Sequence, residues 1–130
     1  MFLADIRYIC KIRLGDDQMK VAIIGSRTVR VTALENYIPE DVTEILSGGA
    51  VGVDACAKEY AQTHQIKLTE YLPDYRRYGR GAPLKRNLTI LQNADLVLAF
   101  WDGKSRGTKY VIENAQKMGI PIQIIHCSSE

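Results

Sequence analysis

The segment "SGGAVGVD", Ser47 to Asp54, places Gly48, Gly49 and Gly52 within five residues, with Ala50 between them and Asp54 behind. Residues without a Cβ tolerate positive φ and let backbone approach backbone. Successive N–H groups can then converge on one anion where a helix begins, the chemistry of a phosphate cradle. The same glycines also serve a plain tight turn, so the neighbouring loops have to decide. "GSRT" supplies Gly25, the hydroxyl of Ser26 and the guanidinium of Arg27, which can fork two donors onto a phosphate. "RN" supplies the charge of Arg86 and the amide of Asn87, which can donate or accept toward a sugar or base. Gly107 and Thr108 offer backbone N–H groups and a hydroxyl at the start of a helix. Taken singly, each has an ordinary explanation: a solvated arginine, a helix surface, a threonine N-cap. Together, on one edge of a sheet, they point to a phosphorylated nucleoside derivative.

The acids in these loops are Asp54 and Asp102, and a general base for hydrolysis would be one of them. An acid in the first turn of a helix is equally explained by the helix dipole. His64 and His126 lie far apart with no acid or cysteine to complete a triad, and read as structural. Cys10, Cys56 and Cys127 form no C-x-x-C pair, so no metal site is expected. Trp101, ending a strand beside these loops, can stack on a purine or pack in the core. The segment "DYRRYGRGAPLKR" interleaves Arg76, Arg77, Arg80, Lys85 and Arg86 with Tyr75 and Tyr78, which suits single-stranded nucleic acid as well as a nucleotide. No G-x-G-x-x-G follows the first strand and no G-x-x-x-x-G-K-[ST] occurs, so neither the standard dinucleotide fingerprint nor a Walker loop is present.

Positioning these loops requires strands that end at them. "KVAII" is an apolar run suited to burial on both faces of a parallel sheet, and "TEILS", "IKLTEYL", "DLVLAFW" and "PIQIIHC" follow as further strands. "TALENYI" reads as a short helix. In the segment from Val53, the residues Val53, Ala57, Tyr60, Ala61 and His64 share a face. A loop from Pro73 to Ala82 leads to a helix opened by Pro83, with Leu84, Leu88 and Leu91 as its apolar stripe. On that phase Arg86 leaves the core and reaches the ligand edge, so its loss is expected to weaken binding far more than folding. The last helix carries Thr108, Val111, Ile112, Ala115 and Met118 on one face, with Gly119 as C-cap. The fold class expected is α/β, a Rossmann-like three-layer arrangement with a doubly wound, mainly parallel sheet of about five strands in the order 3-2-1-4-5.

The chain has 130 residues, 46% hydrophobic and 25% charged, which fits one domain, and a net charge of +2 selects no partner class. Residues 1–18 fall outside the repeat and read as an amino-terminal arm or an added edge strand, leaving 19–130 as the nucleotide-binding domain. Nothing reads as a signal peptide or a membrane span, and the cysteine usage fits the reducing cytoplasm. Assembly into a homo-oligomer is left open.

"IIGSR", "LSGGAVGVDACA", "RN" and "ADLVLAF" followed by "RGT" resemble the SLOG superfamily over about Lys20 to Ile125. That superfamily unites DprA-like DNA-processing proteins, LOG phosphoribohydrolases and small stand-alone YspA-like relatives, and the motif order is most similar to the last. The resemblance implies a nucleotide or nucleotide-derived ligand, of the ADP-ribose, NAD or nucleoside phosphate kind. It assigns binding to Gly25, Ser26, Arg27, Gly48, Gly49, Asp54, Arg86, Asn87, Gly107 and Thr108. A sensor or effector role is expected first, a nucleotide-processing enzyme second. LOG enzymes carry P-G-G-x-G-T-x-x-E. Here Gly103 and Gly107 flank "KSR", and the glutamate position is Val111. Glu113 is turned about 200° from it on a helix, which weighs against LOG-like cleavage of nucleoside monophosphates. DprA-like binding of single-stranded DNA is the other alternative.

Overall fold

The computed structural model describes residues 18–31, 33–48 and 52–127. The expected arm or edge strand over residues 1–18 lies outside the described residues except for Gln18, as do Gly49 and Ala50. Five strands, β1 (Lys20–Gly25), β2 (Glu44–Ser47), β3 (Lys67–Glu70), β4 (Leu96–Trp101) and β5 (Ile122–His126), form one sheet in the order β3-β2-β1-β4-β5. Every pairing is parallel, as in Val21 with Ile45 on one side of β1 and with Leu96 on the other. This is a Rossmann-like α/β fold with the expected strand order.

The helices are α1 (Val53–Thr63), a short α2 (Tyr75–Tyr78), α3 (Ala82–Asn93) and α4 (Arg106–Met118), and a 3-10 turn spans Leu34–Asn36. Alternation along the strands divides the core into two layers. Val21 and Ile23 of β1, Ile45 of β2, and Leu98 and Phe100 of β4 meet Val53, Ala57 and Ala61 of α1. Ala22 and Ile24, Leu46 and Val97 face the other way, onto Ile90 and Leu91 of α3 and Val111 and Ala115 of α4. A strand that feeds both layers must be apolar on both faces, which is why the inner four residues of both β1 and β4 are buried. Met19, 6% exposed, is tied to Thr43 by a backbone N–H to Oγ1 hydrogen bond of 2.9 Å.

Several local expectations shift. The segment after Pro73 is not a plain loop: Asp74 accepts the N–H of Arg77 and caps α2, a side-chain cap the proline and glycines obscured. Helix α3 begins at Ala82, with Pro83 one residue inside, where a missing N–H still costs nothing. Its buried residues are Ala82, Ile90 and Leu91. Of the expected stripe, Leu91 is buried and Leu88 packs against the core, while Leu84, 39% exposed, does not. His64 is exposed at the C-cap of α1, stacked against Tyr60, and Met118 is 43% exposed in the last turn of α4. The Gly119 C-cap, with φ of 72°, is as expected.

Candidate functional site

The carboxyl ends of β1, β2 and β3 and the amino termini of α3 and α4 enclose a cleft of about 470 Å³. Its walls include Gly25, Arg27, Gly48, Asp54, Arg86, Asn87, Gly107 and Thr108, drawn from all four motif loops. This is the place where the order of a doubly wound sheet reverses and ligands bind. Cations outnumber acids on these walls: Arg27 and Arg86 face Asp54 alone. Two helix amino termini add partial positive charge.

The glycines do different jobs. A Cβ on Gly25 would lie 2.5 Å from Cγ2 of Val53, so this glycine lets α1 approach the sheet. Gly52 is the N-cap of α1 at φ 79°, and a Cβ there would meet the carbonyl oxygen of Arg27 at 2.6 Å. Both close approach and positive φ therefore require glycine, which makes Gly52 a structural residue of the loop. At Gly48 a Cβ would strike Arg86, 2.6 Å from Nη1.

Arg86 is where the geometry departs most from the expectation. Its Nη1 donates to the carbonyl oxygens of Gly48 (2.9 Å) and Tyr71 (3.0 Å), and its Nε donates to Oδ1 of Asn87 (2.8 Å). The guanidinium is thus a strut joining the chain beyond β2 to the chain beyond β3. Burial pushes its pKa down, while the charge of Asp54 favours the cation. An arginine stays charged against such a shift. Its side chain reaches the carboxyl edge of the sheet but braces the fold there, so its loss is not expected to leave stability untouched. Asn87 keeps its amide nitrogen for the cleft when Oδ1 faces Arg86.

Arg27 is exposed, lines the cleft and has no ion pair or side-chain hydrogen bond among the described residues. It is the cation available to a ligand. Ser26 is 2% exposed and turned inward, where its Oγ accepts the N–H of Asp102 at 3.3 Å. Asp102 in turn accepts the N–H groups of Lys104 and Ser105 (2.8 Å each) on Oδ1 and the hydroxyl of Thr28 (3.4 Å) on Oδ2. Ser26 and Asp102 therefore latch the loop after β1 to the loop after β4, and neither is among the residues lining the cleft. Asp54, 9% exposed, does line it.

At the start of α4 the N-cap is Ser105, whose Oγ accepts the N–H of Thr108, while the Thr108 hydroxyl is buried against it at 3.3 Å. Thr108 is thus the third helical residue rather than the cap. Gly107 before it presents one of the donors that a helix start leaves unpaired. Trp101 donates Nε1–H to the carbonyl of Ser105 and lies 5.6 Å from His126, so it packs and holds this turn instead of facing the cleft. Sequence reasoning missed Ser105 as a cleft residue. The signal was a serine, a preferred N-cap residue, directly before an amphipathic run. It also missed Leu72 and Leu84 at the cleft mouth.

Among the described residues no group of three or more His, Cys, Asp or Glu side chains could hold a metal ion, and no helix is long and apolar enough to cross a membrane. A parallel five-stranded sheet with a cationic cleft at its carboxyl edge defines a Rossmann-like α/β domain. The chain belongs to the family of the Gene 61 protein of Mycobacterium phage D29, to which it is 33% identical over 84 residues, covering 60% of this chain and 67% of that protein. No protein-family model and no solved structure matches the chain.

Proposed function

We propose that the domain binds a nucleotide or nucleotide-derived ligand, a nucleoside phosphate or a molecule of the ADP-ribose or NAD kind, in the cleft at the carboxyl edge of the sheet. The observation that carries this reading is the meeting of Arg27, Gly107 and the amino termini of α3 and α4 around one cleft with Asp54 as its single lining acid among the described residues. Such a site attracts an anion and leaves polar side chains for a sugar. The SLOG-like order of the motifs supports the same ligand class, and a cytoplasmic sensor or effector is the role that fits it.

Binding without hydrolysis is favoured by the helix that follows the Gly-Thr turn. Val111, at the position of the LOG glutamate, is fully buried in the core, and Glu113 is exposed without lining the cleft. Asp102, the second candidate base, is occupied by the loop latch.

Incubation of the purified protein with AMP, NAD and ADP-ribose, followed by native mass spectrometry and chromatography, is expected to show at least one of them retained unchanged. Release of free base would instead establish an enzyme. A single-stranded oligonucleotide that binds with a steep salt dependence, while AMP, NAD and ADP-ribose all fail to bind, would replace the reading with DNA binding.

A further inference from the structure

We infer that Tyr75 is the platform on which the base of the ligand stacks, which makes the cleft a reader of a single nucleobase with its phosphate toward α4. This inference rests on the nucleotide reading above and gives the ligand a direction.

Strand order provides that direction. Along the carboxyl edge, the chain leaving β3 contributes Leu72, Pro73 and Tyr75, that leaving β2 contributes Gly48, that leaving β1 contributes Gly25 and Arg27, and that leaving β4 contributes Ser105, Gly107 and Thr108. The β3 end is therefore apolar and aromatic, its one lining cation, Arg86, already donating to the carbonyls of Gly48 and Tyr71, whereas the other end carries Arg27 and the backbone donors of α4. With strands about 4.8 Å apart, the β3 end and the β1 to β4 end are separated by roughly 10–14 Å. A base and a phosphate joined by ribose fit this polarity in one sense only.

The aromatic residues near the cleft are not equivalent. Tyr78 has the guanidinium of Arg77 5.3 Å and the ammonium of Lys85 5.5 Å from its ring centre, so its ring is already engaged by cations. Trp101 is held by Ser105 and His126. Tyr75 has no ring or cation-π contact among the described residues, lines the cleft and is 60% exposed. Leu72, 71% exposed, and Leu84, 39% exposed, flank the same mouth. An exposed apolar group of this kind beside a polar cleft is what a flat aromatic ligand covers. A strand of nucleic acid needs successive stacking platforms, and with Tyr78 engaged this face offers one.

The test is calorimetric titration of AMP and of ribose 5-phosphate into the wild-type protein, Tyr75→Ala and Tyr75→Phe. Tyr75→Ala is expected to weaken AMP about 5- to 150-fold, the range for loss of one base–aromatic stack. Ribose 5-phosphate should bind all three proteins alike, and Tyr75→Phe should keep the affinity for AMP. Because the ring is exposed, the melting temperature of Tyr75→Ala should not move. AMP binding unchanged in Tyr75→Ala would overturn the platform and leave the phosphate site standing. Equal losses for AMP and ribose 5-phosphate would also overturn it. Failure of AMP to bind the wild-type protein would overturn this inference, and failure of NAD and ADP-ribose as well would overturn the nucleotide reading with it.

Discussion

Arg86→Ala should destabilise the folded domain by about 2–4 kcal/mol, because the variant strands two carbonyl groups that one guanidinium now satisfies. Gly48 is buried, and its carbonyl oxygen and that of Tyr71 both accept from Nη1. Asp54 would also lose the positive charge that faces it. Urea unfolding of wild type and variant gives the difference directly, and a change within about 0.5 kcal/mol, the usual range of a surface substitution, would show that the strut carries no weight. Arg86→Lys should fall between the two, since an ammonium keeps the charge without the planar fork that serves two carbonyls and Asn87 together. The sheet-edge geometry, and so any affinity for AMP, should decline in the same order as stability.

Gly107→Ala should show the opposite combination, a fold that is slightly more stable and a site that binds poorly. A Cβ at position 107 meets nothing within 4 Å, and the residue lies in the first turn of α4 without a left-handed φ. The protein therefore gains about 0.4–1 kcal/mol from the reduced freedom of the unfolded chain. Only a ligand close to the backbone has a use for the missing side chain. Losing a charge-assisted contact from this N–H to phosphate costs roughly ten- to 150-fold in affinity. Thermal melting and titration with AMP on the same preparation would show both signs. A variant that melts higher and binds AMP as well as wild type would remove the start of α4 from the phosphate site.

The sheet was legible because a strand buried on both faces writes an unbroken apolar run, as "VAII" and "VLAF" do. The motif loops were legible because glycine, serine and arginine at strand ends have few uses. What could not be read was which motif side chain faces outward. Ser26 and Arg27 are neighbours in one loop, yet the first points into a latch with Asp102 and the second into the cleft. Arg86 has the composition of a ligand cation and the contacts of a brace, a distinction made by two carbonyl groups 15 and 38 residues away in the chain. Counting leucines along α3 found Leu88 and Leu91 on the core side, but not that Leu84 lines the cleft or that Ile90 is buried.

The placement of β1 between β2 and β4 also governs how the domain comes to be folded. Val21 pairs with Ile45 on one side but with Leu96 on the other, a contact that closes a loop of 75 residues, as does the hydrogen bond from Lys20 to Asp95. Chain entropy must be surrendered across that whole span before the second side of the central strand is rewarded. While β4 is still being synthesised, the layer against α1 lacks Leu98 and Phe100. On the other face Ala22, Ile24 and Leu46 can meet Ile90 and Leu91 of α3 but must wait for Val97 and Val111. That half-built sheet, with an apolar face and an open edge on β1, is the species on which aggregation during synthesis would act.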